Sequence, residues 1–257
     1  MTESRADFAR PPVALALGSL LRADWAVLLR NKISTFVGVL LPIVLIIVTT
    51  FGKASTKLGG SEQIVGLALT LGLITSCLLG YSLAIAHDRE TGGLQRLRVT
   101  PVPTWTIMAS RLIVQVVASL LTSVLVVVIG VIVHGLTLGI GTYVLVIGSA
   151  VVGSLMFLAL GQSLVGLVKT SNGVSAIGRL LFVILVLLGL LGVTGVLGDT
   201  VKAIAGYSPV GALMTLFMDA LTQVGWSGQD TIALLTCLGY IVVFAFIGIR
   251  WFRWESR

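Results

Sequence analysis

Charged side chains are scarce in this sequence: Asp, Glu, Lys and Arg make up 11% of its 257 residues, while 56% are hydrophobic. A water-soluble domain carries about 25% charged residues. So few charges cannot cover a water-facing surface, which excludes an ordinary soluble enzyme or binding domain. The composition predicts a polytopic membrane protein with much of its exterior against lipid.

Motifs for chemistry are also lacking. The two cysteines, Cys77 and Cys237, lie in apolar runs without a CxxC pair, so neither a disulfide framework nor a structural zinc site is expected. The glycine pair with the spacing of an ATP-binding P-loop is followed by Leu167 where lysine is required. The chain is therefore expected to catalyse no reaction and to bind no metal, cofactor or ATP of its own.

Long runs without charge are what the sequence does contain. About 20 apolar residues cross a membrane as a helix, and continuous rather than alternating apolar runs exclude a barrel. The sequence predicts an all-α membrane protein, a single transmembrane domain over residues 1–257. Its six predicted spans are residues 33–51, 63–86, 112–133, 143–168, 180–198 and 231–249.

The 17 Lys and Arg residues divide unevenly between the two sides of these spans. Lys53, Lys57 and Lys202 lie on one side, while the others precede the first span or follow the second, fourth and sixth. Basic loops face the cytoplasm. We therefore expect the chain to lie in the cytoplasmic (inner) membrane with both termini in the cytoplasm. The net charge of +7 then reflects topology and not nucleic-acid binding. Abundant Val, Ala and Gly indicate a bacterial source.

Two further segments are predicted to be helices that do not cross the membrane. Residues 13–32 carry an apolar stripe, which predicts an amphipathic helix on the cytoplasmic membrane surface. Asp24 falls inside the stripe, so we expect it to pair with a nearby basic group, unless the helix is rotated or shorter. In the outer segment, residues 199–230, an apolar run over 210–221 is too short to cross and predicts a re-entrant or interfacial helix. The stripe consists of Leu17, Leu20, Leu21, Trp25 and Leu28.

The cytoplasmic loop over residues 88–103 reads DRETGGLQRLRVTPVP. Leu94 and Leu97 are three residues apart and share one face of a short helix, which Pro101 and Pro103 would end. Acids near its start and arginines near its end suit the helix dipole. The alternative is a solvated loop whose arginines only anchor the topology.

Polar residues inside the spans are uncharged. Their ordinary role is hydrogen bonding between helices, and the alternative is that they line a substrate path. The candidates for that path are Gln115, Ser119, Thr122 and Gln162.

The loop resembles the cytoplasmic signature of type 2 ATP-binding-cassette exporter permeases, which reads acid-Arg-Glu-x-Gly-Thr-Leu-Glu-x-Leu and then Thr/Ser-Pro-Val. Gly93 stands where threonine is usual and Gln95 where an acid is usual. The resemblance extends over nearly the whole chain, including the surface helix and the six spans. The matching residues are Asp88, Arg89, Glu90, Gly92, Leu94, Leu97, Thr100, Pro101 and Val102.

This resemblance implies a mechanism. The loop would hold a coupling helix seated in a groove of a separate cassette ATPase, which consumes ATP and Mg, and a second permease subunit would complete the exporter in the lipid membrane. Leu94 and Leu97 would anchor the helix, while Glu90 and Arg96 would meet groove charges. The residues assigned to ATPase coupling are Asp88, Arg89, Glu90, Gly92, Leu94, Arg96, Leu97, Thr100 and Pro101.

An uncharged path favours an amphiphilic cargo such as a drug, an antibiotic or a lipid-like molecule. Two other functions stay open at this point. An ion-coupled secondary carrier normally needs an ionisable residue inside the membrane, and none is visible. A non-transporting assembly factor or scaffold is the third possibility.

The predicted topology is testable by cysteine labelling. In a background without Cys77 and Cys237, Lys57→Cys should react with a membrane-impermeant maleimide from outside intact cells. Gln95→Cys should react only after the membrane is opened, because its loop faces the cytoplasm. Labelling of both from the same side would contradict the six-span arrangement.

Overall fold

The computed structural model describes residues 13–30, 32–51, 60–93, 103–194 and 199–251. These residues form ten α-helices and one π-helical turn, with no strand among them. In chain order the elements are α1 (Val13–Arg30), α2 (Lys32–Phe51), α3 (Ser61–Leu73), the π segment (Ile74–Gly80), α4 (Tyr81–Glu90), α5 (Thr104–His134), α6 (Ile140–Leu167), α7 (Ser171–Thr194), α8 (Asp199–Gly206), α9 (Pro209–Thr222) and α10 (Gly228–Trp251).

Five helical stretches are long and apolar enough to cross a membrane, and each overlaps one of the second to sixth predicted spans. This confirms an all-α, multi-pass membrane protein. The first predicted span coincides with α2, in which Gly38–Thr49 forms a shorter apolar stretch, so the count of six stays a prediction. The five stretches are Ser61–Glu90, Trp105–His134, Ile140–Leu167, Ser171–Leu190 and Gly228–Trp251.

The stretch Ser61–Glu90, made of α3, the π segment and α4, is the central helix of the bundle. Its apolar window is 78% buried, against 17% for Gly228–Trp251. A helix that is apolar all round is buried by its neighbours. The other spans leave large apolar side chains exposed, as at Val242 and Phe246. Those side chains form the surface available to lipid.

Glycines let α6 approach the central helix closely. A methyl group at Gly161 would lie 3.2 Å from the carbonyl oxygen of Cys77 and 3.3 Å from that of Leu78. Both carbonyls belong to the π segment. Small residues at helix contacts allow such close backbone packing in membranes, and π turns inside α-helices are frequent at functional sites.

Helix α1 packs mainly against α5, with a smaller contact to α2. The predicted apolar stripe is the partly buried side of this helix, while Arg22 and Arg30 are exposed. The stripe therefore faces the bundle in the structure. The position of α1 relative to the membrane surface stays a prediction.

The short apolar run of the outer segment forms α9, and its prediction as a helix too short to cross is confirmed. Leu213 and Phe217 are fully buried, because α9 packs among α3, α6, α7 and α10. Its re-entrant character stays a prediction.

A tight turn joins α8 to α9. The Ser208 hydroxyl caps α9 by accepting from the Gly211 amide at 3.0 Å, and it donates to the Ala205 carbonyl oxygen at 2.6 Å. Pro209 occupies the first helical turn, where its missing N–H is harmless. A side chain at Gly211 would overlap the Ala205 carbonyl oxygen. The turn therefore requires glycine there.

We expect Gly211→Ala to lower the free energy of unfolding by about 1–3 kcal/mol, because the added methyl group overpacks the turn. Gly206→Ala is the matched control, since a Cβ at Gly206 meets nothing within 4 Å. Thermal unfolding of the purified chain in detergent measures both. Equal melting temperatures for the two variants would contradict this account of the turn.

Candidate functional site

The predicted coupling residues begin in the last turn of α4. Asp88, Arg89 and Glu90 form that turn, which we call the clamp, and Gly92 follows it with a φ of 73°. Only glycine adopts this left-handed conformation without strain, so Gly92 ends the helix. The remaining coupling residues, Leu94, Arg96, Leu97, Thr100 and Pro101, lie outside the described residues.

Arg89 points into the bundle and is 2% exposed. Its Nη1 donates to the Val165 carbonyl oxygen, and its Nη2 donates to those of Val168 and Lys169, all at 2.8 Å. These acceptors belong to the last turn of α6 and the residues after it. The last carbonyls of a helix lack partners within the helix and carry the negative end of its dipole. Arg89 therefore closes the end of α6.

Glu90 contacts the start of the next helix. Its Oε1 accepts from the Ser171 amide at 2.5 Å, at the first residue of α7. The first amides of a helix lack partners and carry its positive end, which favours a carboxylate. Two neighbouring residues of opposite charge thus bind two helix ends of opposite polarity.

Asp88 connects the clamp to α5 and α1. Arg111 Nη1 donates to Asp88 Oδ2 at 2.5 Å, and Arg111 Nε lies 3.9 Å from Asp24 Oδ1. The Ser110 hydroxyl donates to the other Asp24 oxygen. Asp24 therefore pairs with a basic group, as expected from its place in the apolar stripe.

Asp24 is less exposed than a surface carboxylate of an amphipathic helix. Burial raises the pKa of its carboxyl above the ordinary value, while Ser110 and Arg111 lower it. Desolvation disfavours the charged form and nearby donors and cations favour it. The Asp24 carboxyl is thus partly shielded from water and interacts with both Ser110 and Arg111.

Through these contacts, three consecutive side chains join the central helix to α1, α5, α6 and α7. The assignment of Arg89 to ATPase coupling implies that its side chain contacts a partner at the surface. In the structure its guanidinium instead bonds to the end of α6. Sequence reasoning missed these partners because several are backbone carbonyls and amides, which carry no residue-type signal. The alternation acid-Arg-Glu was the available clue, since it matches the polarity of the helix ends it meets.

The four polar candidates for a substrate path do not converge. Gln115 Nε2 donates to the Ser76 carbonyl oxygen at 3.1 Å, inside the π segment. Gln162 instead accepts from the Tyr81 hydroxyl at 2.8 Å. Ser119 and Thr122 donate to carbonyls of their own helix, α5. These bonds satisfy the polar groups within the protein.

Gln115 and Thr122 nevertheless share a cavity of about 110 Å³ with the ionic network. It lies where α1, α2, α4 and α5 meet, and we call it the inner cavity. Asp24, Asp88 and Arg111 stand at one end of it. Among the described residues, no group of three or more His, Cys, Asp or Glu side chains is placed to hold a metal ion.

Residues 39–250 match the family model of the ABC-2 family transporter proteins. The chain belongs to this family. No curated protein matches the chain. ABC-2 permeases are transmembrane subunits that generally work with ATP-binding-cassette partners, in which the ATPase activity resides.

Replacement of Arg89 tests the clamp of this ABC-2 protein. Arg89→Lys should lower the free energy of unfolding by about 1.5–3 kcal/mol, the range for one hydrogen bond to a charged group. A single ammonium cannot reproduce the planar fork that reaches three carbonyls. Denaturant unfolding in micelles measures the change.

Arg22→Lys is the control, because Arg22 is exposed on α1. It makes the same chemical change without touching the clamp. If both variants unfolded at the same denaturant concentration, Arg89 would not hold the end of α6.

Proposed function

We propose that this chain is the permease subunit of an ABC exporter, which moves an amphiphilic molecule out of the cell with energy from ATP hydrolysed by a separate subunit. The observation that carries the proposal is the clamp: the residues that open the predicted coupling loop hold the ends of several spans. Membership of the ABC-2 family supports the general type of function.

A mechanical argument links the clamp to coupling. The predicted coupling helix would begin at the clamp, directly after α4. Force applied to it by a closing ATPase would act first on Asp88, Arg89 and Glu90. Hydrogen bonds between ionised and backbone groups are short and about twice as strong as neutral ones. The clamp would therefore carry the motion to α5, α6 and α7 together instead of bending α4 alone.

The apolar interior of this chain supports an amphiphilic cargo. The described central helix is apolar over most of its length, and its polar neighbours bond within the protein. A path through such an interior would suit a drug, an antibiotic or a lipid-like molecule with a large apolar part. A second permease subunit, identical or different, would supply the facing half of the path.

An ion-coupled carrier is the competing function, and it would transport without an ATPase. Carriers of that kind depend on ionisable groups within the membrane. The ionic network of this chain instead centres on Asp88, in the last turn of α4 and at the start of the predicted coupling loop. Proteoliposomes with and without ATPase separate the two functions, because only the carrier would be active without one.

Docking of the ATPase is tested at Leu97, which lies outside the described residues. Leu97→Asp should abolish co-purification with the cassette ATPase and leave membrane insertion intact, since it places a charge on the predicted apolar face. Co-expression with the ATPase, followed by affinity purification from detergent, measures both.

Gln95→Asp is the matched control, because it adds the same charge to the same segment at a position where related permeases usually carry an acid. We expect normal co-purification for this variant. Undiminished ATPase binding by Leu97→Asp would reject the docking role of the segment.

A further inference from the structure

The inner cavity is lined along one side by α5, and we refer to it as a slot. Along α5 it reaches from Arg111 to Thr122, a distance of about 16 Å at 1.5 Å per residue. Val27 of α1 lines it and is 61% exposed, so that wall stands at the mouth. Its volume of about 110 Å³ is on the order of engineered apolar cavities that bind benzene, so it has room for the first part of a hydrocarbon tail, and the rest would leave through the mouth.

The walls between the two ends favour an apolar occupant. The polar wall groups already have partners: Gln115 bonds to the Ser76 carbonyl oxygen, and Thr122 bonds to that of Ala118. Polar groups that are satisfied within the protein do not require a polar ligand. Val39 and Val114 complete these walls with side chains from α2 and α5.

Among the described residues at the inner end of the cavity, negative charges outnumber positive ones. Two carboxylates, Asp24 and Asp88, face one guanidinium, that of Arg111. Asp88 takes the close contact at 2.5 Å, whereas Asp24 Oδ1 is 3.9 Å from Arg111 Nε, beyond hydrogen-bond distance. Arg89 does not add positive charge to the slot, because its guanidinium bonds to the end of α6.

A cation beside Asp24 would improve the electrostatics of the site. Asp24 is partly desolvated, which costs free energy for an ionised carboxylate, and its pairing with Arg111 is long, at 3.9 Å. An ammonium group that donates to Asp24 Oδ1 would balance the charge of the two carboxylates and Arg111. An anionic headgroup would instead add to the negative charge.

We propose that the inner cavity binds an amphiphile with an ammonium headgroup, its charge beside Asp24 and its tail between α2 and α5. As a recognition site for exported cargo it rests on the function proposed above. The binding test needs no ATPase, so a failure of this site and a failure of ATPase docking are distinguishable.

The test uses the full chain in phosphatidylcholine nanodiscs and a dodecylamine that carries a photoactivatable diazirine on its tail. Mass spectrometry of the illuminated protein should place the label on peptides of α2 and α5. Competition by unlabelled dodecylamine gives the affinity, and the matching dodecanol derivative reports binding that does not depend on charge.

Three variants accompany the wild type. Asp24→Asn should weaken binding of the amine about tenfold or more, since it removes the charge excess. Val39→Trp should abolish labelling, because it fills the slot without a change of charge. This variant keeps the test decisive if Asp24→Asn does not fold. Glu62→Gln, the same type of change at the far end of the central helix, should bind normally.

Equal labelling by the amine and alcohol probes would overturn the proposal, as would labelling that survives Val39→Trp. A last arm identifies the source of the headgroup in a confirmed site. Displacement of the probe by phosphatidylethanolamine nanodiscs assigns the site to a membrane lipid, and retention of the probe assigns it to a free lipophilic amine.

Discussion

The bond between Arg89 and the end of α6 is the interaction on which this end of the bundle depends. One guanidinium, 2% exposed, donates to three carbonyl oxygens in the last turn of α6 and in the residues directly after it. In a membrane protein an unsatisfied carbonyl near lipid costs several kcal/mol. The contact therefore fixes where α6 ends relative to the central helix, and Glu90 fixes where α7 begins.

This arrangement places the bonded ends of the helices beside the loop that is predicted to move. The clamp and the Asp24–Arg111–Asp88 network hold four helices against the central helix at one end of the bundle, directly before the loop expected to meet an ATPase. The π segment lies further along the same central helix, at its closest approach to α6. Because the central helix is held at one end, it would transmit an applied motion to the spans bonded to it. The π segment is where this helix would bend.

Much of the fold is predictable from the sequence because lipid imposes a simple rule on apolar runs. The all-α class, the second to sixth spans, the stripe of α1 and the short helix α9 all follow from run length and periodicity. The pairing of Asp24 was predicted from its unfavourable position, although its partner was not. The contacts of Arg89 with Val165, Val168 and Lys169 were beyond prediction, since the backbone of any residue supplies the same carbonyl. The π segment also has no residue signature.

The central claim is that the clamp makes the inner ends of the spans move as one unit. Double electron–electron resonance between spin labels at Trp105→Cys and Lys169→Cys, both exposed positions on either side of the clamp, measures this in the assembled transporter. The account predicts one narrow distance that stays the same with and without bound nucleotide. A distance that changes through the nucleotide cycle would contradict it.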